Sequence, residues 1–230
     1  MWAGWCMSRS DGYRLVIFDW DGTLLDSIAS IVECTQATME ELGQGKPDES
    51  LIRGAIGLGL RETVDRFAPG CDDAFYDRIV EVYRQLWFET YIHQPCLFPG
   101  TENVLEELTA HGYLLAVATA KSRRGLNLDM EATGLGRFFQ ATRTIDEARS
   151  KPDPQMILDI LGELGVMSAA SLMVGDTAHD LQMAHNAGVH AAAVLTGSHG
   201  LSELTEAAPL VCFEDLRELP EWLADSGQQG

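Results

Sequence analysis

Positive charge is scarce in this chain: 16 Lys and Arg stand against 35 Asp and Glu, a formal net charge of −19. The acidic residues are spread along the sequence rather than gathered in a tail. Nucleic acid and anionic membrane both require a basic face, so neither is an expected partner. An anionic substrate would also be repelled, so any phosphate site must gather local positive charge from a few Lys or Arg, backbone N–H groups and a cation. Cysteine is sparse too. Cys6, Cys34, Cys71, Cys96 and Cys212 are odd in number and include no Cys-x-x-Cys pair. That excludes a zinc knuckle and a disulfide framework and fits a reducing cytoplasm. No apolar run approaches the length of a membrane span, and Met1 to Ser10 lacks a basic leader followed by an apolar stretch. Residues 1–12 are expected to be a flexible extension. There is no internal repeat and no low-complexity segment.

What is present is a recurring short apolar run. Arg14 to Phe18 has the β-branched and aromatic character of a strand buried on both faces, and it ends abruptly in Asp19-Trp20-Asp21-Gly22. Similar runs follow at Tyr113 to Ala118, Phe138 to Ala141, Ser171 to Val174, His190 to Leu195 and Leu210 to Phe213. Helical patterns lie between them, at Asn103 to Leu108, Pro154 to Leu164 and Leu181 to Ala187. This alternation predicts an α/β fold: a Rossmann-like parallel sheet with helices on both faces. From Ser27 to about Gln94 no strand pattern occurs. Ile28, Ile31, Val32, Thr35, Met39 and Leu42 share one helical face there, as do Ile79, Val82, Tyr83, Leu86 and Trp87 farther on. An all-helical insert is therefore expected after the first strand, re-entering the core at Phe98-Pro99-Gly100. The expected division is a core of residues 13–26 and 96–225 with a helical cap of residues 27–95. An insert at that point hangs over the carboxyl edge of the sheet, where open α/β folds bind ligands.

The residues suited to chemistry cluster at strand ends. Asp19 and Asp21, two apart on a chain turning away from the sheet, can approach one point, where their repulsion requires a cation or a proton. An Asp-Gly turn by itself is common. Four specified residues, Asp19, Asp21, Gly22 and Thr23, directly after a buried strand are not. A hard cation such as Mg²⁺ accepts carboxylate and carbonyl oxygens and leaves positions for water and a phosphate oxygen. Thr119, followed by Ala120 and Lys121, offers a hydroxyl and free N–H groups at a helix start, although a Thr in that place also serves as an ordinary N-cap. Lys151, between Ser150 and Pro152-Asp153-Pro154, lies where prolines fix its direction. Asp176 leaves a strand end and Asp180 follows one helical turn later, so both can face a single metal. His179, between them, is expected to be surface or structural, because an oxygen-rich site already suits magnesium.

Taken in order, these four segments resemble the motifs of the haloacid dehalogenase-like superfamily, in its phosphatase branch, across residues 14 to 198. The resemblance implies a phosphatase acting on a small-molecule phosphate ester, with Asp19 as nucleophile, Asp21 as general acid and base, and Lys151 pairing with the nucleophile and the phosphoryl group. It implies Mg²⁺ held by the Asp19 side chain, the Asp21 backbone carbonyl and Asp176, with Asp180 orienting its waters. Thr119 would steady the phosphoryl oxygens. The family commonly has Asn where this chain has Ala120, so only a backbone contact survives there. The insert resembles the cap of the phosphoglycolate phosphatase-like branch, which places Arg53 to Leu60 at its specificity loop. Arg53 there either meets a substrate anion or is a solvated residue on a connector. Phosphoglycolate, sugar phosphates and nucleoside monophosphates all remain open as substrates, as does a phosphomutase, which shares all four motifs. A dehalogenase needs no acid or base at Asp21, and a site kept only for binding would have lost a charged residue. Either a monomer or a homodimer is expected.

Overall fold

The computed structural model describes residues 12–91 and 95–227. Residues 1–11, which carry most of the expected N-terminal extension, lie outside them. Six parallel strands form one sheet in the order β3-β2-β1-β4-β5-β6: β1 Leu15–Phe18, β2 Leu114–Thr119, β3 Ala141–Thr144, β4 Ser171–Gly175, β5 His190–Val194 and β6 Cys212–Phe213. β1 is central, in register with β2 on one side and β4 on the other. Its four residues are fully buried because both sheet faces are covered.

Period-two alternation divides these strands between two cores. Val16, Phe18, Leu115, Val117, Leu172 and Val174 face one side, where α5 (Thr101–Ala110), α6 (Arg123–Thr133) and α10 (Leu219–Gly227) pack. Leu15, Ile17, Ala116, Ala118 and Met173 face the other, against α7 (Gln155–Leu164), α8 (Ala178–Asn186) and α9 (Leu201–Glu206). Connections run to opposite sides of the sheet from β1, so the crevice where the strand order reverses opens between the carboxyl ends of β1 and β4. Asp19 and Asp176 are the residues that leave those two ends.

Some boundaries differ from the sequence expectation. The third strand is Ala141–Thr144, not Phe138 to Ala141: Gly134, with φ of 71°, starts a 3₁₀ turn over Leu135–Phe138 that buries Phe138 before the strand begins. β3 is an edge strand with partly exposed Thr142 and Arg143, so an apolar run was the wrong signal for it. α8 starts three residues earlier than expected because Thr177 caps it. The Thr177 hydroxyl accepts from the Asp180 N–H, and the Asp180 carboxylate accepts from the Thr177 N–H.

Between β1 and α5 the elements among the described residues are helices: α1 Ile28–Glu41, α2 Glu49–Arg53, α3 Leu60–Phe67, α4 Asp73–Leu86 and a π-helical segment Trp87–Tyr91. They form a small apolar cluster of their own around Met39, Val64 and Ile79. They rest on the carboxyl edge of the sheet through specific contacts. Lys121 Nζ lies 5.0 Å above the Trp87 ring, the Arg124 guanidinium 4.0 Å above the Phe88 ring, and the Ser150 hydroxyl donates to Glu62 at 3.0 Å.

Candidate active site

The carboxyl ends of β1 and β4 bring three buried carboxylates together: Asp19, Asp176 and Asp180 each present an oxygen within 4.8 Å of the others. Backbone folding fixes them there. The Asp19 N–H donates to the Val174 carbonyl at 2.9 Å, tying the two strand ends. Asp176 accepts from the Thr23 hydroxyl at 3.0 Å and the Ser198 N–H at 2.8 Å. Chain packs closely around that carboxylate: a Cβ at Gly22, which has φ of +84°, would lie 2.4 Å from Asp176 Oδ2, and one at Gly197 only 1.9 Å away. Glycine at both positions is therefore a condition of the site. Asp180 accepts from the Thr177 hydroxyl at 2.6 Å.

Among the described residues, one cation faces this group. Lys151, on the turn between β3 and α7, is 1% exposed, and its Nζ lies 2.8 Å from Asp19 Oδ1 and 2.6 Å from Asp180 Oδ1. Burial works against its charge, yet Asp180 and Asp19 more than offset this and raise its proton affinity. The carboxylates remain under-compensated. Burial, opposed by Lys151 and reinforced by Asp180, pushes Asp19 up to about 7. Burial, then Asp180 and Asp19, holds Asp176 well above the ordinary carboxylate range. Three carboxylates on one ammonium leave a formal charge of −3 + 1 = −2 among buried side chains. Oxygen donors with that deficit match a hard divalent cation.

The Asp21 side chain stands apart from this cluster. It accepts from the Ser27 hydroxyl at 2.7 Å and from Lys121 Nζ at 3.0 and 3.2 Å. Lys121 also pairs with buried Asp129 at 3.1 Å, and Asp129 accepts from the Trp20 indole at 2.9 Å. Burial disfavours the Lys121 charge, but Asp21 and Asp129 outweigh it. Burial raises Asp129, with Lys121 opposing. The chain Trp20–Asp129–Lys121–Asp21 was not read from the sequence. A signal existed: Asp129 shares a helical face with buried Leu126, and an acid on a buried face needs a partner.

Thr119 ends β2, is buried, and accepts from the Lys121 N–H at 3.1 Å. It shares with Asp19, Asp21, Ala120 and Lys121 the wall of a cavity of about 480 Å³ that runs up into the helices of residues 28–91. Arg53 is not brought to it. That side chain lies along α2, with Nε 2.7 Å from Glu49, and does not line the cavity. Pairing one turn back along its own helix is what directs it away from the crevice. The solvated-connector reading fits this position better than contact with a substrate anion. His179 is half-buried with its ring 5.3 Å from that of His199, outside the carboxylate group, and burial lowers its pKa.

A doubly wound sheet that gathers buried carboxylates, a buried lysine and a buried threonine at its switch point is the arrangement of an α/β enzyme. The chain belongs to the haloacid dehalogenase-like hydrolase family, whose model matches residues 16–194. It is 36% identical over 209 residues to "Probable phosphatase IndB" of Dickeya dadantii, covering 89% of this chain and 91% of that one. It is 29% identical over 213 residues to a phosphoglycolate phosphatase of Pseudomonas syringae pv. tomato, covering 90% of this chain and 78% of the relative. Among solved structures it is similar to a haloacid dehalogenase-like family hydrolase from Streptococcus pneumoniae, with a TM-score of 0.79 at 25% identity, covering 91% of this chain and 98% of the other.

Proposed function

We propose that this chain is a Mg²⁺-dependent phosphatase that passes the phosphoryl group of a small organic monoester to Asp19 and then to water, beneath a helical cap of residues 27–95 on a core of residues 13–26 and 96–225. The observation that carries this reading is Lys151 Nζ held between Asp19 and Asp180 at the crevice where Asp176 also converges. The names of the relatives support it.

The residues divide the work. An Asp19 carboxylate oxygen attacks phosphorus in line, forming the Asp19–phosphorus bond as the ester P–O bond breaks. Asp21 gives its proton to the leaving alkoxide, then takes one from the water that attacks the phosphoaspartate, releasing phosphate and restoring Asp19. Lys121, 3.0 Å from Asp21 and anchored by Asp129, keeps that carboxyl group in position through both transfers. Thr119 and the Ala120 N–H hold phosphoryl oxygens, and Lys151 offsets charge that a strongly acidic protein would otherwise turn against its substrate. Mg²⁺ held by Asp19, the Asp21 backbone carbonyl and Asp176, with Asp180 ordering its waters, supplies the further positive charge that lets a carboxylate approach a phosphate.

The test is covalent. Quenching turnover of a ³²P-labelled ester with Mg²⁺ is expected to leave label on the peptide containing Asp19, and Asp19→Asn is expected to release no phosphate while keeping its fold. Label on another residue, or parent-like turnover by Asp19→Asn, would remove the assignment. A requirement for a bisphosphate primer with little free phosphate would instead identify a mutase.

A further inference from the structure

The cavity above Asp19 constrains the other half of the ester. Resting on the phosphatase reading, we propose that the leaving alcohol is bulky and largely apolar, of the size of a fused aromatic ring system, and carries no second anionic group. At about 480 Å³ the cavity is of the size that takes a drug-sized ligand, more than a phosphoryl group on a two-carbon acid fills. Its walls above the catalytic end are supplied by Ile31, Ile52, Ile56, Phe67, Ile79 and Trp87, from five helical segments and the turn after α2.

The polar groups on those walls are largely committed. The hydroxyls of Thr35, Thr38 and Thr63 donate to the carbonyls of Ile31 at 2.8 Å, Cys34 at 2.8 Å and Ala55 at 3.2 Å. Charge on the wall offers a second anion no net attraction: Glu62 and Asp146 stand beside Arg61 and Arg84, while Asp21 pairs with Lys121 and Asp19 with Lys151. Two of the wall's cations are engaged. Arg61 pairs with Asp73 at 3.0 Å and lies over Tyr76, while Lys121 serves Asp21 and Asp129. Arg84 is exposed to solvent. Below the exposed Arg84, a carboxylate on the alcohol would thus enter an apolar space and lose its hydration without a partner, whereas an apolar body would exchange water for matching surface.

Binding of unreactive phosphonates to the Mg²⁺-loaded protein tests this without relying on turnover. By calorimetry, 1-naphthylmethylphosphonate is expected to bind at least tenfold more tightly than phosphonoacetate. Equal or reversed affinities overturn the proposal. In Ile31→Lys, which sets a cation into the half-buried wall, that ratio is expected to fall at least tenfold, and an unmoved ratio overturns the placing of the alcohol in this cavity. Phosphate release from 1-naphthyl phosphate and 2-phosphoglycolate separates the two levels. No release from either ester defeats the phosphatase reading and this proposal with it, while release from 2-phosphoglycolate combined with preferred binding of phosphonoacetate defeats this proposal alone.

Discussion

Without a cation, protein stability should fall as pH rises through neutrality, and Asp19 should be a main cause. Its carboxyl group moves from an ordinary 3.8 to about 7 on folding, chiefly through burial. The folded chain therefore binds this proton more tightly than the unfolded chain. The stabilisation is complete below the unfolded value and disappears as pH rises through the folded one. From about pH 5.5 to about pH 8 the loss spans roughly 1.5 units, or about 2 kcal/mol at 1.36 kcal/mol per unit. For a chain of this length that corresponds to roughly 4–8 °C in Tm. His179 works in the opposite direction, because burial depresses its pKa and its stabilisation is lost as pH falls. The comparison must therefore be internal: thermal unfolding of parent and Asp19→Asn, both in EDTA, at the two pH values. The parent is expected to lose about 4–8 °C more than Asp19→Asn over this interval. Saturating Mg²⁺ should raise the parent Tm more at the higher pH, since cation and proton compete for the same oxygens. Identical pH dependence in the two proteins would refute the account of a buried, under-compensated Asp19.

Other changes test the remaining contacts. Lys121→Met should lower kcat by roughly 10²-fold, near the lower end of what a positioned acid or base contributes. It should also cost about 3–5 kcal/mol in denaturant unfolding, because Asp129 stays buried without its cation; parent-like kcat would show that Asp21 needs no such support. Gly197→Ala places a methyl group 1.9 Å from Asp176 Oδ2 and should weaken Mg²⁺ binding roughly 10–100-fold in a metal-dependent thermal-shift titration, so unaltered affinity would exclude Asp176 as a ligand. Arg53→Ala should leave kcat/KM unchanged and cost only about 0.3–0.5 kcal/mol, the value of an exposed i,i+4 pair; a selective loss on anionic substrates would restore a specificity role.

The acidic strand ends were legible because they depend only on local order. A buried run stopping at Asp19-Trp20-Asp21-Gly22 announces its own geometry, and so do Asp176 and Asp180 one helical turn apart. The helical character of residues 28–91 was equally plain from 3.6-residue periodicity. β3 was placed early because an edge strand has no need of an unbroken apolar run.

What sequence alone determined was the alternation of strand and helix, the helical insert and the acids that end the first and fourth strands, since these follow from backbone periodicity and residue type over a few neighbours. Tertiary structure decided which of those side chains meet. Lys121, just before α6, pairs with Asp129 inside that helix, but Asp21 lies 100 positions away. Arg53 turns to Glu49, and an apolar hollow opens over Asp19. These outcomes depend on the balance between burial cost and partner charge across segments remote in the chain, a sum that exists only once the sheet and the helices above it are packed together.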